Sequence, residues 1–160
     1  MLKPLRALTW TPEFNVGLFA FLLNLPWELW QVPLFESMPE APHWEAVKTC
    51  SRAAAGDAVI ALFAYWAIAL VLRNRAWVVA PTASATMGFA ALGVAITVVI
   101  ERLALGGLWL HSWSYSPLMP VVPGLDVGLS PLVQWLALPP LVIWLVCRQM
   151  SRRQPGGFAA

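Results

Sequence analysis

Long apolar runs dominate the chain, and short segments rich in charge, proline and glycine separate them. A helix rises about 1.5 Å per residue, so about 20 apolar residues are enough to cross the hydrocarbon core of a membrane. The pattern therefore predicts an all-α integral membrane bundle of four transmembrane helices in a single domain, residues 1–160. The predicted spans are residues 14–35, 53–72, 77–100 and 129–146.

The segments between the spans are predicted to be outer loops at residues 36–52 and 101–128, and a polar helical lead from Trp44 is predicted to precede the second span. Pro26 and Pro33 are expected to kink the first span, because proline has no backbone N–H to donate. The glycine-rich tail, 154–160, is predicted to be disordered. In the second loop four rings alternate, which predicts an extended strand with all four on one side. These rings belong to Trp109, His111, Trp113 and Tyr115.

The composition supports a membrane protein. Hydrophobic residues make up 59% of the chain and charged residues only 11%, against about 25% charged residues in soluble domains. The net charge is +2, and the basic residues flank the apolar runs instead of forming a patch, so no nucleic-acid partner is expected. Cys50 and Cys147 fall at opposite ends of the predicted spans, which predicts no disulfide between them. The first apolar run is too long for a signal peptide and no A-x-A site follows it, so it is interpreted as a retained span.

The positive charges predict the orientation, because lysine and arginine collect on the cytoplasmic side. Both termini are then cytoplasmic, and a bacterial inner membrane is the expected location. Seven basic residues lie on the predicted inner side: Lys3, Arg6, Arg73, Arg75, Arg148, Arg152 and Arg153. Three lie on the outer side: Lys48, Arg52 and Arg102.

Polar residues inside the spans are the candidate site. Asn24, Glu28 and Gln31 stand at positions i, i+4 and i+7, which places them on one stripe of a helix. A carboxylate within a span costs about 2.5–3.5 kcal/mol on insertion scales, so it is expected to face partners inside the bundle. Each other span carries one polar group at a similar outer depth: Asp57, Glu101 and Gln134. Together the six residues predict a polar cavity near the outer leaflet.

These residue types suit acid–base chemistry on an apolar lipid, which is isoprenoid-like only by the analogy given below. Isomerisation, hydration or cyclisation of a double bond needs a proton donor in a dry pocket. Glu28 is the predicted acid, and Asp57 or Glu101 is the base or the group that stabilises a cation. No cofactor is expected. The predicted substrate-binding residues are Asn24, Trp27, Gln31, Trp113, Tyr115 and Gln134.

Other interpretations remain open. Polar groups in membranes often only hold helices together, at about 0.6–2 kcal/mol per contact. The protein could instead be a proton- or cation-coupled transporter that works as a homo-oligomer. A third hypothesis is an accessory subunit of a larger membrane complex, packed through a small-residue stripe at Ala80, Ser84 and Gly88.

A metal site is not expected. The candidate ligands on the outer side show no known ligand spacing. They are His43, Cys50 and His111, with Glu36 or Glu45.

The chain resembles a family of small, polytopic bacterial inner-membrane proteins of uncharacterised activity. The landmarks cover most of the chain: Asn24-x-x-Trp27-Glu28-x-x-Gln31, Gly56-Asp57, Glu101, Trp113-x-Tyr115, Met119-Pro120, Gly128-Leu129-x-Pro131 and Gln134. A more local resemblance is to the membrane-embedded lycopene cyclase domain, in which a P-x-E-E motif lies within a span. Pro26, Trp27 and Glu28 match that motif, whereas Leu29 replaces its second acid. This second resemblance implies isoprenoid cyclisation, with the order of Trp113, Tyr115, Gly128 and Pro131 also similar.

Overall fold

The computed structural model describes residues 10–109 and 111–151. This part of the chain is mainly helical, with helices α1 (Pro12–Trp30), α2 (His43–Leu72), α3 (Ala83–Leu105) and α4 (Leu129–Ser151). Helices α2, α3 and α4 are long and apolar enough to cross a membrane. These findings confirm a helical protein with several candidate spans. The tail 154–160 and the basic residues near both termini lie outside the described residues.

Helix α1 begins at a proline preceded by a threonine cap. The Oγ1 of Thr11 accepts a hydrogen bond from the backbone N–H of Phe14 at 3.4 Å, a common way to satisfy the free donors of a first turn. Pro26 lies inside the helix without ending it. The predicted extension to residue 35 is wrong, because the helix ends at Trp30 and a short 3₁₀ turn, Val32–Leu34, follows.

Helix α1 is not among the helices that length and hydropathy mark as candidate spans. Its 19 residues are long enough to cross most of the hydrocarbon core, but Asn15, Asn24 and Glu28 lower its mean hydropathy. Asn15 and Asn24 are buried, so its polar residues face the neighbouring helices.

The bounds of α2 and α3 differ from the predicted spans. Helix α2 starts ten residues before the predicted span at residue 53 and runs without a break to Leu72. Helix α3 begins at Ala83 and not at residue 77, because Pro81 disfavours helical backbone at the residue before it. A 3₁₀ turn at Trp77–Val79 fills the gap. At the other end α3 continues past residue 100 to Leu105.

Helix α4 begins at the predicted residue and includes Pro139 and Pro140. These prolines have no N–H, so they leave the carbonyls of Trp135 and Leu136 without their usual helical donors. A small antiparallel hairpin precedes α4, in which β1 (Val121–Val122) pairs with β2 (Val127–Gly128).

The helices alternate in direction, which gives the bundle two ends. We call the end formed by Trp30, His43, Leu105 and Leu129 the polar end, and the end formed by Pro12, Leu72, Ala83 and Ser151 the basic end. At the basic end Arg75 donates two hydrogen bonds to Glu13, at 2.6 and 3.0 Å. The hydroxyl of Tyr65 lies 3.1 Å from the same carboxylate. These contacts tie α1 to the segment between α2 and α3.

Small residues let the helices pack closely. A Cβ added at Gly93 would lie 1.9 Å from the ring of Trp135, so α3 and α4 meet there without room for a side chain. The predicted stripe of small residues is corrected. Ala80 precedes α3, Ser84 is exposed and Gly88 faces Ile68. The buried positions of α3 are Ala85, Phe89, Ala90, Gly93, Thr97, Glu101 and Ala104.

Candidate functional site

The stripe on α1 faces the bundle near the polar end. Asn24 and Gln31 are buried, and Glu28 is half-buried between them. Gln31 is the residue at which α1 ends, and its backbone N–H donates to the carbonyl of Trp27 at 2.9 Å. Nearby, the thiol of Cys50 on α2 approaches the backbone carbonyl of Glu28 at 3.5 Å. The region around Glu28 is thus held by both α1 and α2.

Gln134 on α4 is the centre of the site. Its side-chain nitrogen lies 2.7 Å from Oδ1 of Asn24, 3.1 Å from Oε1 of Glu28 and 3.0 Å from Oδ2 of Asp57. A single amide therefore joins α1, α2 and α4. Because that nitrogen carries two hydrogens and has three acceptors around it, at least one N–H is shared between acceptors.

The direction of these hydrogen bonds is fixed from one side by a backbone carbonyl. The side-chain nitrogen of Asn24 donates to the carbonyl of Ala20 at 2.8 Å, and a carbonyl can only accept. Oδ1 of Asn24 consequently faces Gln134 as an acceptor. Gln134 must then present its N–H groups to Asn24 and to the two carboxyl groups.

A second chain of hydrogen bonds runs from Trp27 through Ser130 and Gln31 to Glu28. The indole N–H of Trp27 can only donate, and it lies 3.3 Å from Oγ of Ser130. Ser130 in turn donates to Oε1 of Gln31 at 2.7 Å. Gln31 then donates through its nitrogen to Oε1 of Glu28 at 2.9 Å. Both amides next to Glu28 therefore offer it N–H groups.

Ser130 was not predicted from the sequence, although a signal for it was present. It stands four residues before Gln134 on α4, so both side chains lie on the same helix face. The serine also follows the Gly128-Leu129 landmark at the start of α4, where a hydroxyl is usually interpreted as a helix cap.

The two carboxyl groups of Glu28 and Asp57 meet each other at this site. They lie within hydrogen-bonding distance of one another as well as of Gln134. In the described part of the chain no lysine or arginine forms a salt bridge with either group. Arg52 is exposed, and Arg102 binds Asp126 and the carbonyl of Leu125. The pair is thus a carboxyl–carboxyl contact and not an ion pair.

Glu101 forms a second cluster with two predicted aromatic residues. Its Oε2 accepts hydrogen bonds from the indole N–H of Trp113, at 3.1 Å, and from the hydroxyl of Tyr115. The hydroxyl of Tyr115 also accepts the backbone N–H of Gly128 at 2.9 Å. Glu101 is buried and interacts electrostatically with both Glu28 and Asp57. The third acid is therefore close to the pair but is held by its own partners.

Tyr115 lies in the loop outside the candidate spans, and its pKa is raised. Burial disfavours the phenolate, and the negative charge of Glu101 raises the pKa further. The phenol therefore stays protonated and acts as a donor to Glu101 at physiological pH.

The loop that carries these rings covers the polar end. Two short runs of backbone lie side by side: the backbone N–H of Ser116 donates to Leu34 at 2.9 Å, and that of Glu36 donates to Ser114 at 3.1 Å. The predicted strand with four rings on one side is wrong. Only Tyr115 forms a bridge, with Phe35, while Trp109 and His111 are exposed. Trp113 and Tyr115 alone turn toward Glu101.

The predicted cavity is largely filled by the groups that were expected to line it. Asn24, Glu28 and Asp57 each accept a hydrogen bond from the side-chain nitrogen of Gln134. A narrow void, with room for about one water molecule, lies beside Asn24 and Gln134 toward the basic end. Trp135 also lines this void, and its buried indole N–H has no hydrogen-bond partner within the described residues.

The candidate metal ligands form no hydrogen bond with the side chains of Asn24, Glu28, Asp57 or Gln134 in the described part of the chain. His43 and His111 are exposed, and Glu45 pairs with Lys48 at 2.8 Å. Glu36 accepts a hydrogen bond from Ser114 at 2.7 Å. Cys50 and Cys147 are both free thiols. Among residues 10–109 and 111–151 no group of three histidine, cysteine, aspartate or glutamate side chains is arranged to hold a metal ion.

Comparisons of the chain with models of protein families, with curated proteins and with solved structures find no match. The two family resemblances therefore stay predictions. The proposals that follow depend on the geometry of the site.

Proposed function

We propose that the protein is a small intramembrane enzyme that uses Glu28 and Asp57 for acid–base chemistry on an apolar lipid. One observation carries the proposal: the two carboxyl groups meet on a single amide, Gln134, and no lysine or arginine among the described residues forms a salt bridge with either. Two neighbouring carboxylates repel each other, so the pair favours a state in which it holds one shared proton. A shared proton beside an unprotonated oxygen supplies an acid and a base in one site.

The chemistry that suits this pair is the movement of a proton onto and away from a carbon–carbon double bond. Glu28 donates its proton to one alkene carbon, and the other carbon becomes cationic. Asp57 then removes a proton from a neighbouring carbon, which restores a double bond in a new position. A ring closes only if a second double bond of the substrate first attacks the cation, after which Asp57 removes the proton beside the new cationic carbon. The protons balance, and no oxidant or reductant is needed. Trp27, next to Glu28, offers an aromatic face of the kind that stabilises a cation.

The amides support this assignment of roles. Gln31 and Gln134 both direct N–H groups at Oε1 of Glu28, which stabilises the carboxylate that remains after the proton has left. Their direction is fixed by Trp27 and Ala20 and so does not need to change during a reaction. Preorganised donors of this kind are the common basis of electrostatic catalysis.

The interior of the bundle favours an enzyme over a transporter. Toward the basic end the described core between Asn24 and Asn15 is apolar apart from the small void, and the buried Asn15 donates to the backbone carbonyl of Thr11 at 2.8 Å. A proton or cation path would need polar groups or water across that half. The polar groups that reappear there, Glu13 and Tyr65, are bonded to Arg75 and its carbonyl.

We also propose how the protein sits in a membrane. Helix α1 is proposed as a fourth span, because it packs against α2 and α4, which are apolar enough to cross. The basic end is proposed to be cytoplasmic, with both termini inside and the site in the outer leaflet of a bacterial inner membrane. The distribution of lysine and arginine supports this orientation.

Product analysis tests the function. Lipids extracted from cells that express the wild-type chain, Glu28→Gln or Asp57→Asn are compared by mass spectrometry, with Glu40→Gln as an exposed-loop control. We expect a new lipid species with the wild type and the control and none with the two site variants. Identical lipids in all four samples would refute the enzyme. Ion flux in liposomes or a co-purified membrane partner would then favour the transporter or the accessory subunit.

A further inference from the structure

Asp57 lies at the border between two faces of α2. Successive helical residues are about 100° apart, so the residues at i−4, i−1 and i+3 flank one side of Asp57, and those at i−3, i+1 and i+4 flank the other. On the first side Ala53 and Gly56 are exposed, whereas Ile60 packs against the core. The second side is buried and consists of Ala54, Ala58 and Ala61. The carboxyl group of Asp57 reaches Gln134 between the helices, so the partly exposed surface of this residue lies on the side of Ala53 and Gly56.

The space beside Gly56 is empty of protein. No heavy atom lies within 4 Å of the position that a Cβ at Gly56 would occupy. Further along α2 the exposed side chains are apolar, since Val59 is 50% and Phe63 67% exposed. Because α2 is apolar enough to cross a membrane, this opening faces lipid chains and not water.

The approach from the polar end is more restricted. The loop that carries Trp113 and Tyr115 is bonded both to Glu101 and to the segment after α1. These contacts cover the acids on the side that water would use. The geometry thus leaves the flank of α2 as the more open way to Asp57.

We propose that the apolar chain of a bilayer lipid reaches Asp57 sideways, through the opening beside Gly56. The inference rests on the proposed function for the chemistry that follows, and it adds the route of the substrate. The occupant is an apolar chain, because the open side of α2 presents small and apolar residues from Ala53 to Phe63, while the exposed Arg52 lies one turn from Gly56 toward the polar end. A glycine and an alanine beside Asp57 leave the width that such a chain needs.

A hydrophobic carbodiimide tests the route without knowledge of the substrate. With dicyclohexylcarbodiimide, a protonated carboxyl adds its oxygen to the central carbon while its proton moves to a nitrogen. The product then rearranges to an N-acylurea that mass spectrometry can locate. Because Glu28 and Asp57 are proposed to share one proton, Asp57 carries it for part of the time. In liposomes that contain the full chain we therefore expect labelling of Asp57, and slower labelling by a water-soluble carbodiimide.

The variants locate the opening. Gly56→Leu fills the space and should slow the labelling of Asp57 several-fold, as should Ala53→Leu on the same side. Ala55→Leu adds the same bulk at an exposed position on the opposite side of α2 and should leave the rate unchanged. Asp57→Asn identifies the labelled residue. Equal melting temperatures of the Leu variants and the wild type show that the fold is kept. If either Gly56→Leu or Ala53→Leu fails to fold, the other still tests the route.

Several results would overturn the route: an unlabelled wild type, labelling that Gly56→Leu and Ala53→Leu leave unchanged, or faster labelling by the water-soluble reagent. The labelling does not require turnover. If it behaves as expected and no lipid product is found, the route stands and the enzyme hypothesis fails. If a lipid product is found and the two Leu variants are labelled like the wild type, the enzyme stands and the route fails.

Discussion

Replacing Gln134 by leucine tests whether the polar network holds the bundle together. The side-chain nitrogen of Gln134 has three acceptors, on α1 and α2, at 2.7–3.1 Å. Leucine has a similar size but no polar atoms, so Asn24, Glu28 and Asp57 each lose one donor. The change removes contacts at the point where three helices meet.

The expected magnitude follows from the number of contacts. Hydrogen bonds between helices in a membrane contribute about 0.6 kcal/mol on average and about 1.7 kcal/mol at most. Three lost contacts predict a decrease of about 2–5 kcal/mol in the free energy of unfolding. The expected loss of stability is smaller than that for a broken buried ion pair, because the substitution leaves no cation unpaired.

Reversible unfolding in mixed micelles or bicelles measures this difference. Gln149→Leu is the matched control, since Gln149 lies on the same helix near the basic end and outside the network. We expect Gln149→Leu to change stability by about 0.5 kcal/mol or less, as is usual for substitutions away from special features. If Gln134→Leu is as stable as Gln149→Leu, the network does not hold the helices and the reasoning from its distances is refuted.

Three further predictions follow from other parts of the fold. The first uses a background in which serine replaces both native cysteines. Ala41→Cys should react with an impermeant thiol reagent from outside, and Asn74→Cys only after the membrane is opened. The reverse pattern would invert the proposed orientation. Gly93→Ala should destabilise the fold by about 1–3 kcal/mol through overpacking against Trp135. Gly56→Ala, with open space around it, should be neutral or stabilise the fold by up to about 1 kcal/mol. Equal melting temperatures of the two variants would contradict the close packing of α3 and α4. Burial tends to raise the pKa of Glu13, but hydrogen bonds from Arg75 lower it overall below 4.5. The contribution of Glu13 to stability is therefore present above pH 4.5 and is lost as the pH falls through the lowered pKa. Glu13→Gln should flatten the dependence of the melting temperature on pH over this acidic range, and an unchanged profile would count against the Glu13–Arg75 pair.

The helices could be predicted from the sequence because long apolar runs leave few other structures in a membrane. Their ends were harder to predict, and proline explains two of the errors. Pro33 follows Trp30 closely and turns the chain into a 3₁₀ turn, and Pro81 delays α3 until residue 83. Apolarity continues through both prolines, so a count of hydrophobic residues places the end of α1 too late and the start of α3 too early.

Depth along each span was enough to suggest which polar residues meet. Positions in the sequence placed four polar residues at a similar depth, namely Asn24, Glu28, Asp57 and Gln134. In the structure the first three accept hydrogen bonds from Gln134. The direction of the bonds could not be predicted, because it depends on Ala20 and on the Trp27–Ser130 contact. The extent of the cavity was wrong for a related reason: long amide side chains reach across the bundle and fill the space between the helices. The catalytic and binding roles assigned to these residues stay predictions.

The presence of two acids, instead of two amides, argues that they serve more than the fold. A carboxyl in a span costs about 2.5–3.5 kcal/mol on insertion scales, so Glu28 and Asp57 together cost about 5–7 kcal/mol. Four contacts hold them: two with Gln134, one with Gln31 and one between the pair. At about 0.6–1.7 kcal/mol each, these contacts return about 2–7 kcal/mol. Asparagine and glutamine could make similar contacts without a titratable proton, as Asn24 and Gln134 already do. The contacts alone therefore give no reason for carboxyl groups instead of amides at this position, whereas the proposed site, which holds and releases a proton, does.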